Sequence, residues 1–355
     1  MSNVAKPKSD LSRAFSEDGA RKTHVGGQAL LEGVMMRGKY NWAVGVREPD
    51  GGVYEESHDL ASGRAKNGWM YWPCVRGCRA MVESLVLGYK ALEIAALHAF
   101  NEDEEDEAES ATSEPAAKSD GDAVFGKKEM TFSMVLGLLM GVVLFIVAPA
   151  FITNLLVGEY DVHTLAWNIV DGLLRVAVFV FYIWLIGRMS DIKRMFGYHG
   201  AEHKTIHCYE HGLPLTPENA RQFPRLHVRC GTAFLIMVMI IAILVYTVTP
   251  LNALISAWGV PDGAPKLALV IAARIALMPV IAGISYEITV RWAGSHPENP
   301  LVKVVLWPGM QMQYLTTNEP DDGMLECAIA AMQQVLEREE LEAAKAAAAA
   351  RGAQA

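Results

Sequence analysis

Four long apolar stretches constrain this chain more than anything else in it: residues 132–157, 165–187, 232–255 and 267–289. A helix needs about 20 apolar residues to cross a hydrocarbon core roughly 30 Å thick, and each stretch reaches that length. Buried helices of soluble domains carry apolar runs of about 10–14 residues, so a soluble core explains these poorly. The overall hydrophobic content of 52% is also high for a soluble protein. The expected fold is a mainly α-helical polytopic membrane protein. It should have about four transmembrane helices between residues 130 and 293, and a small α+β cytoplasmic N-terminal domain.

Loop charges orient these spans. The loop 188–231 carries Arg188, Lys193, Arg194, Lys204, Arg221, Arg225 and Arg229, whereas the connector 158–164 has no Lys or Arg and the third connector has Lys266 alone. The positive-inside rule places the basic loop and both termini in the cytoplasm, making this a multi-pass protein of the cytoplasmic (inner) membrane. The polar opening, residues 1–21, has no apolar core for a signal peptide, so the first span would drive insertion. The net charge of −9 comes largely from one acidic run and says little about partners. No basic stripe is interleaved with aromatics, which argues against nucleic acid. All five cysteines fall in segments assigned to the cytoplasm, where thiols or metal ligands are expected rather than disulfides. The partner that follows from composition is the lipid bilayer.

Outside the spans the chain divides further. Residues 1–21 read as a disordered N-terminus and 22–100 as a small folded domain. Within that domain Trp42 to Tyr54 alternates around Pro-Asp-Gly-Gly, a hairpin signal. Residues 79–100 have helical periodicity, with Met81, Leu85, Leu92 and Ala96 on one face, either packing on the hairpin or lying in the membrane interface. Residues 101–129, dense in Glu, Asp, Ser and Ala, read as a disordered linker. Residues 294–341 form a C-terminal segment: a breaker-rich loop, an apolar run interrupted by Pro308 and Gly309, and an amphipathic helix marked by Leu325, Ile329, Met332 and Leu336. Residues 342–355 are an Ala-rich tail.

Candidate chemistry concentrates in the basic loop, at Gly197-Tyr-His-Gly-Ala-Glu-His-Lys-Thr-Ile-His207, followed by His227-Val-Arg-Cys230. His199, His203 and His207 recur every four residues, one stripe of a helix. His199 to His203 reads H-x-x-E-H, the inverted order of the zincin motif. His199 and His203 can grip one divalent metal, zinc by preference, while Glu202 takes a proton from water. His227, Cys230, Glu210 and Glu218 are candidates for the remaining ligand. In a competing reading, His199, His203, His227 and Cys230 form a closed tetrahedral structural site. The bland alternative is a solvated histidine-rich helix lying on the lipid surface, and Gly200 weakens a helix there.

Two further sets of residues stand out. Asp171 and Arg175 lie one turn apart in the second span, and Arg274 and Glu287 lie in the fourth. An unpaired charge at mid-bilayer costs about 2.5–3.5 kcal/mol on insertion scales, so these should pair, either lining a polar pathway or setting helix register. In the N-terminal block Gly26-Gly-Gln-Ala-Leu-Leu-Glu-Gly-Val-Met-Met-Arg-Gly38, glycines abound but the G-K-[ST] ending of a P-loop is missing. Turns around Glu32 and Arg37 could present those side chains to the histidines, or could simply be structural. Cys74-x-x-x-Cys78 and Gly137-x-x-x-Gly141 read more simply as packing positions than as a metal pair or a dimerisation motif.

These blocks, together with Leu-His-Val-Arg-Cys-Gly-Thr, Ala-Gly-Ile-Ser-Tyr-Glu and Leu315-Thr-Thr-Asn-Glu-Pro-Asp-Asp322, resemble the signatures of the YqhQ-like family. That family comprises bacterial integral-membrane proteins classed as a domain of unknown function and labelled, by prediction, metal-dependent enzymes. The resemblance covers roughly residues 26–336 apart from the acidic linker. It carries over His199, Glu202, His203, His207, His227 and Cys230, with Glu32 and Arg37, but assigns none of them a catalytic role.

The leading expectation is a metal-dependent hydrolase at the cytoplasmic membrane face, acting on a peptide bond of a membrane protein or on a lipid-linked group. A non-enzymatic scaffold or regulator with a structural metal is the second reading. A transporter built on the intramembrane charges is the third, although four spans are few for one and no broken half-helices stand out.

Overall fold

The structure is a computed structural model and describes residues 10–16, 23–60, 68–99, 127–158, 164–249, 251–261, 263–293, 295–296 and 299–352. Most of the acidic linker and of the first 21 residues lies outside these; Asp10–Ser16 forms a short helix, α1. Arg13 of α1 donates to the Gln222 carbonyl at 2.6 Å.

The Gly-rich N-terminal block is not a set of isolated turns but the first half of an antiparallel meander. Strands β1 (Gly26–Leu30), β2 (Gly33–Arg37), β3 (Asn41–Arg47) and β4 (Val53–Asp59) pair in chain order. Leu31 and Glu32 alone join β1 to β2, which forces Glu32 to φ +51°, a conformation rare for a side chain with a Cβ. Gly51, at φ +90°, turns β3 into β4, pairing Val46 with Tyr54 and Gly45 with Glu55.

Both faces of the sheet are buried. Leu30, Met35, Trp42, Val44 and Val46 pack against helix α2 (Val75–Ala99), and Val34, Met36 and Ala43 pack against chain from much later in the sequence. The α2 face is built from Leu87, Gly88, Ala91 and Ala95, and Leu85 of the expected face is 68% exposed. Small residues win because they let the helix approach the sheet closely: a Cβ on Gly88 would already touch the Gln28 side chain.

Helices α3 (Lys127–Val142) and α4 (Ala148–Val157) run together through a π-helical turn at Val143–Val147. They are followed by α5 (Thr164–Ile186), α6 (Ser190–Glu210), α7 (Pro217–Arg221), α8 (Gly231–Val248) and α9 (Leu251–Ala257). The chain ends in α10 (Ala264–Tyr286), α11 (Pro300–Thr316) and α12 (Asp322–Gly352). Among the described residues three helices are long and apolar enough to cross a membrane: Val135–Val157, Leu165–Ile186 and Ala264–Ala293. Large apolar side chains such as Leu138, Phe151, Leu155, Leu173 and Phe181 face outward from them, a surface that lipid covers and water does not. This is a mostly helical membrane protein with a small N-terminal antiparallel sheet. The stretch 232–255 does not form one long helix among the described residues: its apolar helical part is the shorter Phe234–Val248, and α9 begins at Leu251.

The intramembrane charges pair with one another. Arg274 of α10 is 1% exposed; it bonds Asp171 and Asn168 of α5, and its guanidinium lies 4.7 Å from the ring centres of Trp167 and Tyr246. Arg175 closes on Asp171 at 3.0 Å. Glu287 is not part of this cluster. It reaches outward to Arg76 of α2 at 2.7 Å and accepts from the Cys74 amide at 3.2 Å, tying the N-terminal unit to the end of the last span.

Candidate functional site

Helix α6 is polar in sequence yet buried from Phe196 to Cys208, and again at Glu210. Burying three histidines, a lysine and two glutamates costs free energy unless each is matched, so the surroundings of these side chains are informative. One side of α6 lies on β1 and β2. Its other side lies against α12 and the segment that joins α11 to α12. A Cβ on Gly200 would collide with the Asn318 carbonyl, so this glycine serves close backbone approach, which outweighs its cost to the helix. A histidine-rich helix solvated at a lipid surface is not what forms.

Backbone carbonyls set the imidazole tautomers. His199 Nδ1 lies 2.8 Å from the Thr316 carbonyl and His203 Nδ1 lies 2.6 Å from that of Arg225. A carbonyl only accepts, so both rings donate from Nδ1 and turn Nε2 inward. His199 Nε2 meets Cys230 Sγ at 3.2 Å, and His203 Nε2 is buried on the same side, toward Cys230. His199, His203 and Cys230 each offer a ligand atom within 4.8 Å of the others. Burial alone raises the Cys230 thiol, but charge on His199 and His203 more than offsets this and holds it well below its ordinary value. Burial likewise opposes a charged His199, and the Cys230 charge overrides it, raising the imidazole. Two Nε2 atoms and a thiolate, with outer-shell carbonyls holding the rings, are the donors that zinc takes, and the set fits such an ion.

Glu202 is buried beside this triad without belonging to it. Burial raises its carboxyl above the usual range, against the charges of His199 and His203 and a backbone hydrogen bond from Gly27.

His227 and His207 separate from the first three. Their ring centres are 4.5 Å apart, and His227 is 5.7 Å from His203. His207, Glu210 and His227 form a second buried group within 4.8 Å. Burial pushes His207 down to about 3, and burial with the neighbouring His207 and Arg229 puts His227 well below its ordinary value. The expected ligand set is therefore brought together, but as two triads and not one tetrahedron. Glu218 lies in the short helix α7 and joins neither.

The N-terminal motif touches the site through its glycine and not through the residues singled out in it. Glu32 accepts from Arg194 at 2.7 Å and from the Tyr198 hydroxyl at 3.1 Å, earlier on α6. Arg37 pairs with Glu83 of α2 at 2.8 Å and lines a cleft of about 330 Å³ with Arg76, Arg79 and Arg291, away from the histidines. Sequence reasoning also missed Gln313. Its amide clamps His227 by accepting from the backbone N–H and donating to the carbonyl, each at 2.9 Å. Two glutamines, Gln311 and Gln313, in an otherwise apolar segment were the available signal.

Comparison with known proteins places the chain in a family without adding a function. The model of the family "Protein of unknown function (DUF1385)" matches residues 72–338. "Uncharacterized protein YqhQ" of Bacillus subtilis (strain 168) is 32% identical over 320 residues, covering 89% of this chain and 93% of that protein. No solved structure matches. By the extent of the family match and of this relative, the chain belongs to the DUF1385 family.

Proposed function

We propose that this protein is a metal-dependent hydrolase of the cytoplasmic membrane, with His199, His203 and Cys230 as ligands of a divalent ion, by preference zinc. The observation that carries the proposal is the pair of anchored imidazoles whose Nε2 atoms converge with Cys230 Sγ in a buried pocket. Three protein ligands leave a coordination position open, as catalytic sites do. When bound, such an ion supplies Lewis acidity. Glu202, buried and raised, accepts the proton that water loses as its oxygen attacks, then returns it to the leaving group as the scissile bond breaks. The substrate class is a peptide bond in a membrane protein or a lipid-linked group, since the site's helix α6 follows α5 after three residues and Cys230 directly precedes α8.

The topology proposed with it has four spans, counting α8, with both termini in the cytoplasm. At 18 residues α8 is about 27 Å long, near the hydrocarbon thickness. The basic residues of 188–231 set the orientation.

X-ray absorption and elemental analysis of detergent-purified protein test the reading. A sulfur-containing zinc shell with one non-protein ligand, lost in His199→Ala/His203→Ala and kept in Glu202→Gln, is the expected result. A sulfur-bound zinc saturated by four protein ligands would make the site structural, and no sulfur-bound metal would remove the reading.

A further inference from the structure

We infer that His207, Glu210 and His227 form a second divalent-cation site, separate from the triad of His199, His203 and Cys230. Each of the three offers a ligand atom within 4.8 Å of the other two, and all three are buried, at 1%, 1% and 2% exposure. His207 Nε2 lies 3.0 Å from the Leu226 carbonyl, which can only accept, so Nε2 carries the proton and Nδ1 the lone pair. That Nδ1 is buried with no hydrogen-bond partner among the described residues, and so is His227 Nε2. Two buried imidazole nitrogens left unmatched beside a carboxylate are costly in a core of protein alone. A divalent ion satisfies both at once.

The surroundings are built for the same end. Gln313 fixes the His227 backbone on both sides, and Arg229 bonds Glu210, orienting the carboxylate whose Oε2 stands 3.5 Å from His227 Nε2. Ligation through His227 Nε2 requires its proton on Nδ1. At Nδ1 the Arg229 amide approaches to 3.3 Å, long for a hydrogen bond and easily given up. Two imidazoles and one carboxylate form a mixed nitrogen–oxygen set with open positions, suited to zinc and also to manganese or ferrous iron. It contrasts with the sulfur-bearing triad beside it, so the two sites differ in the metal they prefer. The rings of His199, His203, His227 and His207 follow one another at 4.5, 5.7 and 4.5 Å, which puts the second ion next to the first along one buried row.

The second site does not depend on the first, and sulfur tells them apart. Zinc would be added to the metal-depleted, full-length protein in detergent, with bound metal counted and its shell read by X-ray absorption. About two equivalents are expected, with an average of about half a sulfur per zinc. Glu210→Gln and His207→Gln should each halve the metal content and leave a zinc with a full sulfur ligand. Cys230→Ala should leave a zinc with nitrogen and oxygen ligands only, which keeps the test open if the α6 variants fail to fold. One equivalent, sulfur-bound and indifferent to Glu210→Gln, would overturn the second site and keep the proposed first. One equivalent without sulfur, indifferent to Cys230→Ala and lost in Glu210→Gln, would support the second site and sink the first. No bound zinc would overturn both.

Discussion

Gly27 of β1 lies directly against Glu202 of α6: a Cβ on Gly27 would sit 2.8 Å from Glu202 Cδ and 2.7 Å from the Met35 carbonyl. The N-terminal meander is thus one wall of the histidine site, and the wall admits no side chain at that point. This contact leaves the glutamate dry, and burial is the first cause of its raised carboxyl.

Gly27→Ala should therefore lower stability and leave metal binding intact. The clash with the Met35 backbone should cost about 1–3 kcal/mol, the usual range for overpacking. Metal content should stay at the wild-type level, because Glu202 lies outside both ligand triads. Thermal denaturation in detergent beside elemental analysis checks this, and unchanged melting would mean that β1 does not press on α6.

The pairing of Glu32 with Arg194 predicts an acid-limb effect. The Arg194 hydrogen bonds hold Glu32 below its ordinary carboxylate value of 4.5. Its contribution is then complete above the unfolded pKa and lost as pH falls through the lower folded one. Arg194 is about half exposed, so the pair is worth no more than about 1 kcal/mol. In melts from roughly pH 3 to 7, Glu32→Gln should be less stable than wild type at neutral pH and converge on it in acid. Parallel curves throughout would show that the pair contributes nothing.

Arg274 should be the most sensitive charge in the spans. Replacing it with Met leaves Asp171, which is 1% exposed, paired with Arg175 alone and loses the bond to Asn168. Removing one partner of a buried pair costs about 3–5 kcal/mol, and the retained Arg175 contact should hold the loss to the lower part of that range. Arg274→Lys should recover only part of that, because one ammonium cannot match the guanidinium's fork. Unfolding by denaturing detergent in mixed micelles measures both variants; a loss below about 1 kcal/mol for Met would mean that water reaches the cluster.

Much of the site was legible before the fold was known, and for a local reason. A spacing of four on a helix puts His199, His203 and His207 on one stripe whatever surrounds it. Their division into two triads was not legible, because it depends on how residues 223–230 cross α6, bringing Cys230 to His199 and His227 to His207. The pairing of Asp171 with Arg175 followed from spacing, whereas the departure of Glu287 to Arg76 required α2 to dock on the last span. The expected face of α2 held only in part: Leu92 packs on the sheet, but Leu85 is exposed, because close packing on a sheet selects the smaller Gly88 over the more hydrophobic residue.

The sequence by itself determined the apolar helices, the meander's turns and the helical stripe of donors. These are properties of short segments, governed by transfer to lipid, by backbone sterics and by helical period. Only the tertiary structure decided which nitrogen of each histidine carries a proton. That depends on carbonyls of Thr316, Arg225 and Leu226, the first of them 117 residues from its histidine. No local pattern encodes a contact at that distance, because it exists only once the sheet, α11 and α12 have closed around α6.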